Sequence, residues 1–253
     1  MRPGRGVLLA FVLVTAAAAQ SPEPPLSESR LTVHTLLRED IFAGFINNSL
    51  ERLSRAERNI DILLKDRPGQ RANLLAWKAG ASLYRAVAAH EAGKRDEFNR
   101  CFAEAREGFA AAATLQSGND GVAAITGGSL VLFADRLPEE QRAAAWSQAY
   151  DAYALLWKQQ HANIEKMPVH FRGEVLAGLT QSAQRTGRSD EAAQYLDRML
   201  AVMANTPYEA MARQWKTDPA SAATTNLTCK SCHNPGRLTQ RLAALAKGGA
   251  LRP

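Results

Sequence analysis

The chain has 253 residues, 46% of them hydrophobic, with 31 Lys plus Arg against 25 Asp plus Glu and a formal net charge of +6. That length can bury a substantial core. The basic excess is scattered rather than gathered into Lys/Arg blocks with interleaved aromatics, which argues against nucleic-acid binding, and no G-x-S-x-G, H-E-x-x-H or paired-carboxylate pattern is present, so no enzyme activity is expected.

The first 19 residues read as a secretory signal. Arg2 and Arg5 form a basic start, residues 6–14 are apolar, and residues 16–19 are small, as a cleavage site requires. The apolar run is short for a membrane span, so cleavage is expected rather than an uncleaved anchor. No other stretch is apolar enough to span, and no integral membrane segment is expected after cleavage. Removing the two arginines takes the formal charge to +4. The expected compartment is the periplasm.

Residues 20–29, rich in Ser, Pro and Glu, are expected to form a disordered lead-in. Beyond them the pattern is helical almost throughout, with Ala, Leu, Arg, Glu and Gln dominant and no strand-like alternation. The expected fold class is therefore all-α. The helices come in pairs over residues 30–206. In a first block, residues 37–68, Gly44, Ala56, Ile60, Leu63, Leu64 and Pro68 occupy positions 8, 20, 24, 27, 28 and 32 of one frame. In a second, residues 175–207, Leu179, Ala183, Gly187, Ala192, Leu196, Met199 and Leu200 occupy positions 7, 11, 15, 20, 24, 27 and 28 of the same frame. Small residues let two antiparallel helices approach, large apolar ones fill between units, and proline ends each unit. This pattern resembles the tetratricopeptide repeat. The resemblance implies a stack of antiparallel helix pairs with an extended surface for a protein partner. The run from Gly187 to Leu196 reads as a turn followed by a capped second helix.

Two further pairs lie between the blocks. Residues 71–92 and 96–115 form one, with Trp77, Gly80 and Tyr84 in its first helix and a Phe98, Phe102, Ala105, Phe109 stripe in its second. Residues 120–134 and 138–160 form the other. Its second helix opens at Pro138 with Glu139 and Glu140 in the first turn, where the helix dipole favours acids. Trp146, Tyr150, Tyr153 and Trp157 recur at helical spacing, which marks a core stripe rather than a ligand groove. Cys101, beside Phe102, is expected to be a buried small hydrophobe.

Residues 207–253 are expected to form a separate C-terminal segment. A short helix over residues 208–216 is followed by a Ser/Ala/Thr stretch to Thr228. Cys229, Cys232 and His233 then spell C-x-x-C-H, and Asn234, Pro235 and Gly236 break the chain direction before a last helix over residues 238–247. The motif is the attachment pattern of a covalent haem. Cysteines three apart lie on one side of a helical turn, so both sulfurs reach the vinyl groups of one porphyrin, and the adjacent histidine faces the iron. A thioredoxin-like pair, half a zinc site or a plain disulfide are the alternatives. The first needs a βαβ context and the second two more ligands, and neither is seen.

The motif resembles that of c-type cytochromes. The resemblance implies haem c, Cys229 and Cys232 as thioether anchors, and His233 as the proximal iron ligand. No Met or His follows His233 in these 253 residues, so a protein ligand for the other side of the iron must come from upstream. Met211 is the nearest, followed by Met203, Met199, His170, Met167 and His161. The late motif and Arg237 four residues beyond His233 also resemble cytochromes c′, whose iron is five-coordinate, although Pro235 and Gly236 interrupt the continuous helix of that fold. Trp215, Leu227 and Leu238 are candidates to pack on the haem. The expected function is one-electron transfer to a redox partner protein docked on the helical array. The alternatives are a five-coordinate, gas-binding haem sensor, and an interaction scaffold in which the C-x-x-C is structural.

Overall fold

The computed structural model describes residues 26, 27, 29, 31–115, 118 and 120–224. Among them every regular element is a helix. The ten α-helices are α1 (Val33–Asn47), α2 (Leu50–Asp66), α3 (Arg71–Glu91), α4 (Arg95–Leu115), α5 (Asp120–Phe133), α6 (Glu139–Gln160), α7 (Val169–Arg185), α8 (Ser189–Val202), α9 (Pro207–Thr217) and α10 (Pro219–Thr224). Short 3-10 turns cover Pro68–Gln70, Ala134–Arg136 and His161–Lys166.

Sequence neighbours pack as pairs: α1 with α2, α3 with α4, α5 with α6 and α7 with α8. The pairs then join through α3 against α5 and α6 against α7, while α9 lies on α8 and α10 on α9 and α7. The all-α reading and its four helix pairs are therefore what the structure shows. The turns follow from residue chemistry. Gly93 and Gly187 end α3 and α7 at φ of 69° and 74°, the left-handed region a side chain disfavours. After Gly187 the Arg188 N–H donates to the Ala183 carbonyl at 2.8 Å, closing the last turn of α7.

Packing inside the pairs depends on small residues. A Cβ on Gly44 would lie 2.8 Å from the Cβ of Leu53, so the α1–α2 crossing is as close as glycine permits. Asp40 closes the same pair. Its carboxylate, only 8% exposed, accepts from Arg52 Nε and Arg55 Nε, both at 2.7 Å. A main core under α1–α6 holds Leu37, Ile41, Leu53, Ile60, Leu74 and Phe133, and Val175, Leu179 and Ala183 of α7 and Ala192 of α8 join it. Each such side chain contributes about 1.5–3 kcal/mol on burial. A second core under α7–α10 holds Leu176, Met199, Met203, Tyr208 and Trp215.

Three boundaries differ from the sequence reading. α7 begins at Val169, after Pro168, about two turns ahead of the repeat block, because proline fixes the extended entry and the apolar pattern continues upstream. α8 begins at Ser189, with Arg188 rather than a hydroxyl residue at the cap and no side-chain cap bond. The Ser/Ala/Thr stretch after Asp218 opens with a six-residue helix, α10, which Pro219 starts at a position where its missing N–H costs nothing.

Candidate functional site

A cleft of about 330 Å³ opens between α1, α3, α5 and α7, bounded also by Tyr153 of α6 and Tyr208 of α9. Its floor is α5, where Gly121, Ala124 and Gly128 leave space that larger residues would fill. A Cβ on Gly128 would lie 3.2 Å from Glu174 Oε1. Phe42, Ile125 and Leu132 give it apolar walls.

On the α1–α3 side, the His34 ring lies 5.4 Å from Trp77, tilted by 34°, and Phe42 meets Trp77 edge-on at 6.0 Å. Asn73 sits one turn before Trp77 on α3 and donates from Nδ2 to Gln70 Oε1 at 3.2 Å. Two buried polar atoms here have no hydrogen-bond partner, Asn73 Oδ1 and Trp77 Nε1. Trp77 is only 4% exposed.

On the α7 side, Glu174 joins two aromatic groups. Tyr153 donates its hydroxyl to Glu174 Oε1 at 3.4 Å, and His170 Nε2 lies 3.2 Å from Glu174 Oε2. The early start of α7 places His170 and Glu174 one turn apart on the same face. Tyr208 closes this side by covering Gly173, where a Cβ would lie 2.4 Å from its ring. Among the described residues no Lys or Arg lines the cleft.

Cys229, Cys232 and His233 lie outside the described residues, as do Leu227, Arg237 and Leu238. Of the upstream candidates for the far side of the iron, Met199 and Met203 are fully buried in the second core. Met211 is half-buried at the edge of that core, and Met167 is half-buried. His161 and His170 are exposed, His161 with Nδ1 3.1 Å from the Trp157 carbonyl oxygen and His170 on Glu174. Only His170 of this set lines the cleft. Trp215 is fully buried in the second core.

The last described helix, α10, is fastened to the rest of the fold. Arg185, its side chain 6% exposed, donates to Asp135 Oδ2 at 2.7 Å and lies 4.1 Å from the Trp146 ring centroid. Its Nη1 donates to the Ala222 carbonyl at 2.7 Å. Trp146 Nε1 also donates to Asp135, at 2.6 Å. The α6 stripe is thus mainly core. Trp146 and Tyr150 are buried, and Tyr150 donates its hydroxyl to Glu191, so that burial first and the carboxylate second push its pKa up. Tyr153 is also buried but borders the cleft. Cys101 is buried and free, and burial raises its thiol pKa.

The sequence reading missed the cleft. Its signal was the run of small residues in Asp120–Phe133, which reads equally as close helix packing. Among the described residues no three His, Cys, Asp or Glu side chains gather as a metal site, and no helix is long and apolar enough to cross a membrane. No family model, no curated protein and no solved structure significantly matches this chain.

Proposed function

We propose that the chain is an exported mono-haem c-type cytochrome, which passes one electron at a time to a partner protein docked on the helical array. The observation that carries this reading is C-x-x-C-H at Cys229, Cys232 and His233. The secretory pattern of residues 1–19 supports it, because it directs the chain to the periplasm. Cys229 and Cys232 would hold haem c through two thioethers, each formed by adding an S–H across a vinyl double bond, and His233 would be the proximal ligand. The group supplies a one-electron Fe(III)/Fe(II) couple whose potential follows its axial ligand and its burial.

The scaffold fits this role. Arg185, Asp135 and Trp146 fasten the backbone at Ala222, so the attachment segment starts from a rigid support. Paired helices offer a broad, stable face for a partner. Within the described residues, Met211, Met167, His161 and His170 retain some exposure, and Met211 remains the nearest to the motif in sequence.

One observation favours a second reading, a five-coordinate, gas-binding haem sensor. Met199 and Met203, two of the three methionines nearest upstream of the motif, have their side chains locked in the second core. Co-expression with haem-maturation machinery, followed by spectra with and without carbon monoxide, separates the readings. A low-spin spectrum unmoved by carbon monoxide is expected for electron transfer. A high-spin spectrum that carbon monoxide shifts favours the sensor, and absence of covalent haem overturns both.

A further inference from the structure

We infer that the cleft between α1, α3, α5 and α7 is the docking site of the chain's own C-terminal segment, with Leu238, Leu242 and Leu245 between its apolar walls and Arg241 beside Glu174. The inference is independent of the haem. It begins with the pattern of residues 238–247. In helical register Leu238, Leu242 and Leu245 share one face, Arg241 borders it and Gln240 lies opposite. Anchors at i, i+4 and i+7 are those of a helix laid in an apolar groove. The segment is also strongly basic: residues 225–253 hold five Lys or Arg and no Asp or Glu.

The cleft suits this occupant. Phe42, Ile125 and Leu132 give it apolar walls. Its volume of about 330 Å³ takes side chains but not a helix of roughly 10 Å diameter, whose backbone lies along the mouth. Among the described residues no Lys or Arg lines it, and Glu174 keeps carboxylate lone pairs beyond those used by Tyr153 and His170. Arg241, at the edge of the leucine stripe, supplies the matching charge. A groove of about 250 Å³ at α4 and α6 is the poorer fit, because Arg106, Gln141 and Gln148 line it and Arg106 repels a basic segment. The chain also reaches the cleft. Arg185 fastens it at Ala222, and Glu174 lies eleven residues back along α7, about 17 Å at 1.5 Å per residue. Sixteen residues separate Ala222 from Leu238, which span roughly 50 Å when extended. Pro235 and Gly236, just before the stripe, are residues that let the chain turn back. Docked there, the segment holds C-x-x-C-H between two anchors, α10 upstream and the cleft downstream.

The test uses the full-length chain with the photo-cross-linker p-benzoylphenylalanine in place of Leu242, Leu245 or Gln240, one at a time, and maps the cross-links by mass spectrometry. From the Leu242 and Leu245 positions we expect links to the peptides of α1, α5 or α7 that line the cleft, at a yield at least about fivefold above that from Gln240 on the opposite face. The links should be intramolecular, with a yield independent of protein concentration. Leu238→Asp should lower the yield from both leucine positions about tenfold, the worth of one buried leucine. The Leu245 position carries the test where the probe at Leu242 disturbs docking. The inference is overturned if both leucine positions link to the cleft no more than Gln240 does, or if their links map to Gln141–Gln148 of α6 instead. It is equally overturned if the yield rises with protein concentration, which would seat the stripe on a second copy, or if Leu238→Asp leaves the yield unchanged.

Discussion

Arg185 donates from Nη1 to the carbonyl of Ala222 at 2.7 Å, across the junction of α7 and α10. The same guanidinium holds Asp135 and stacks on Trp146, so one side chain ties α6, α7, α10 and the turn after α5. A planar, bidentate donor does this and a point charge does not. Arg185→Lys should therefore cost about 1–2 kcal/mol and Arg185→Ala about 2–3 kcal/mol in urea unfolding, since the first loses the forked hydrogen bonding and the second also loses the packing on Trp146 and leaves the Ala222 carbonyl without its donor. A Lys variant as stable as the wild type would show that charge alone suffices there.

Gly44 and Leu53 set the spacing of the first helix pair. Gly44→Ala places a methyl carbon 2.8 Å from Leu53 Cβ, an atom that cannot rotate away. Helix propensity alone would make the change favourable by about 1 kcal/mol. The steric clash should reverse the sign and give a net loss of about 1–3 kcal/mol. Gly69→Ala, with nothing within 4 Å, is the control and should be near neutral in the same denaturation assay.

Glu91 and Arg136 make a paired contact between the end of α3 and the turn before α6, at 2.7 and 2.8 Å. The hydrogen bonds from Arg136 hold the Glu91 pKa below 4.5, with burial opposing. A depressed carboxylate pKa stabilises the folded state above the unfolded pKa, and that contribution disappears as pH falls through the folded value. An NMR titration should show Glu91 below 4.5 in the wild type and returning toward 4.5 in Arg136→Gln. The pair is largely exposed, so the accompanying change in stability should be small.

Cys101 is buried within the α3–α4 pair, and its raised thiol pKa keeps it protonated at neutral pH. The stabilisation is full below the unfolded thiol pKa and is lost as pH rises through the folded one. Peptide mapping after iodoacetamide treatment should find Cys101 unmodified in the folded chain and modified in urea. Labelling in the folded chain at the urea rate would contradict its burial.

If the chain carries haem with a methionine on the far side of the iron, Met211 is the methionine to change. Met211→Leu should then convert a low-spin spectrum to a high-spin one, while Met199→Leu and Met203→Leu leave the spectrum unchanged because both side chains belong to the second core. A spectrum insensitive to Met211→Leu would turn attention to His170.

The sequence by itself determined much of the scaffold. Helical periodicity with punctuating Gly187 and Pro138 marked four helix pairs, because each signal acts within a few residues of its own position. The stripe at Trp146 and Tyr150 was legible as core for the same reason. The C-x-x-C-H motif was equally legible, since its spacing is local chemistry. What only the tertiary structure decided depends on residues far apart in the chain. His34, Trp77, Gly128 and Glu174 come together in one cleft because α3 packs on α5 and α7 starts two turns early. Arg185 meets Asp135 fifty residues upstream and Ala222 thirty-seven residues downstream. No local pattern encodes such meetings: they follow from which helix faces are buried against each other, a property of the assembled pairs and not of any one of them.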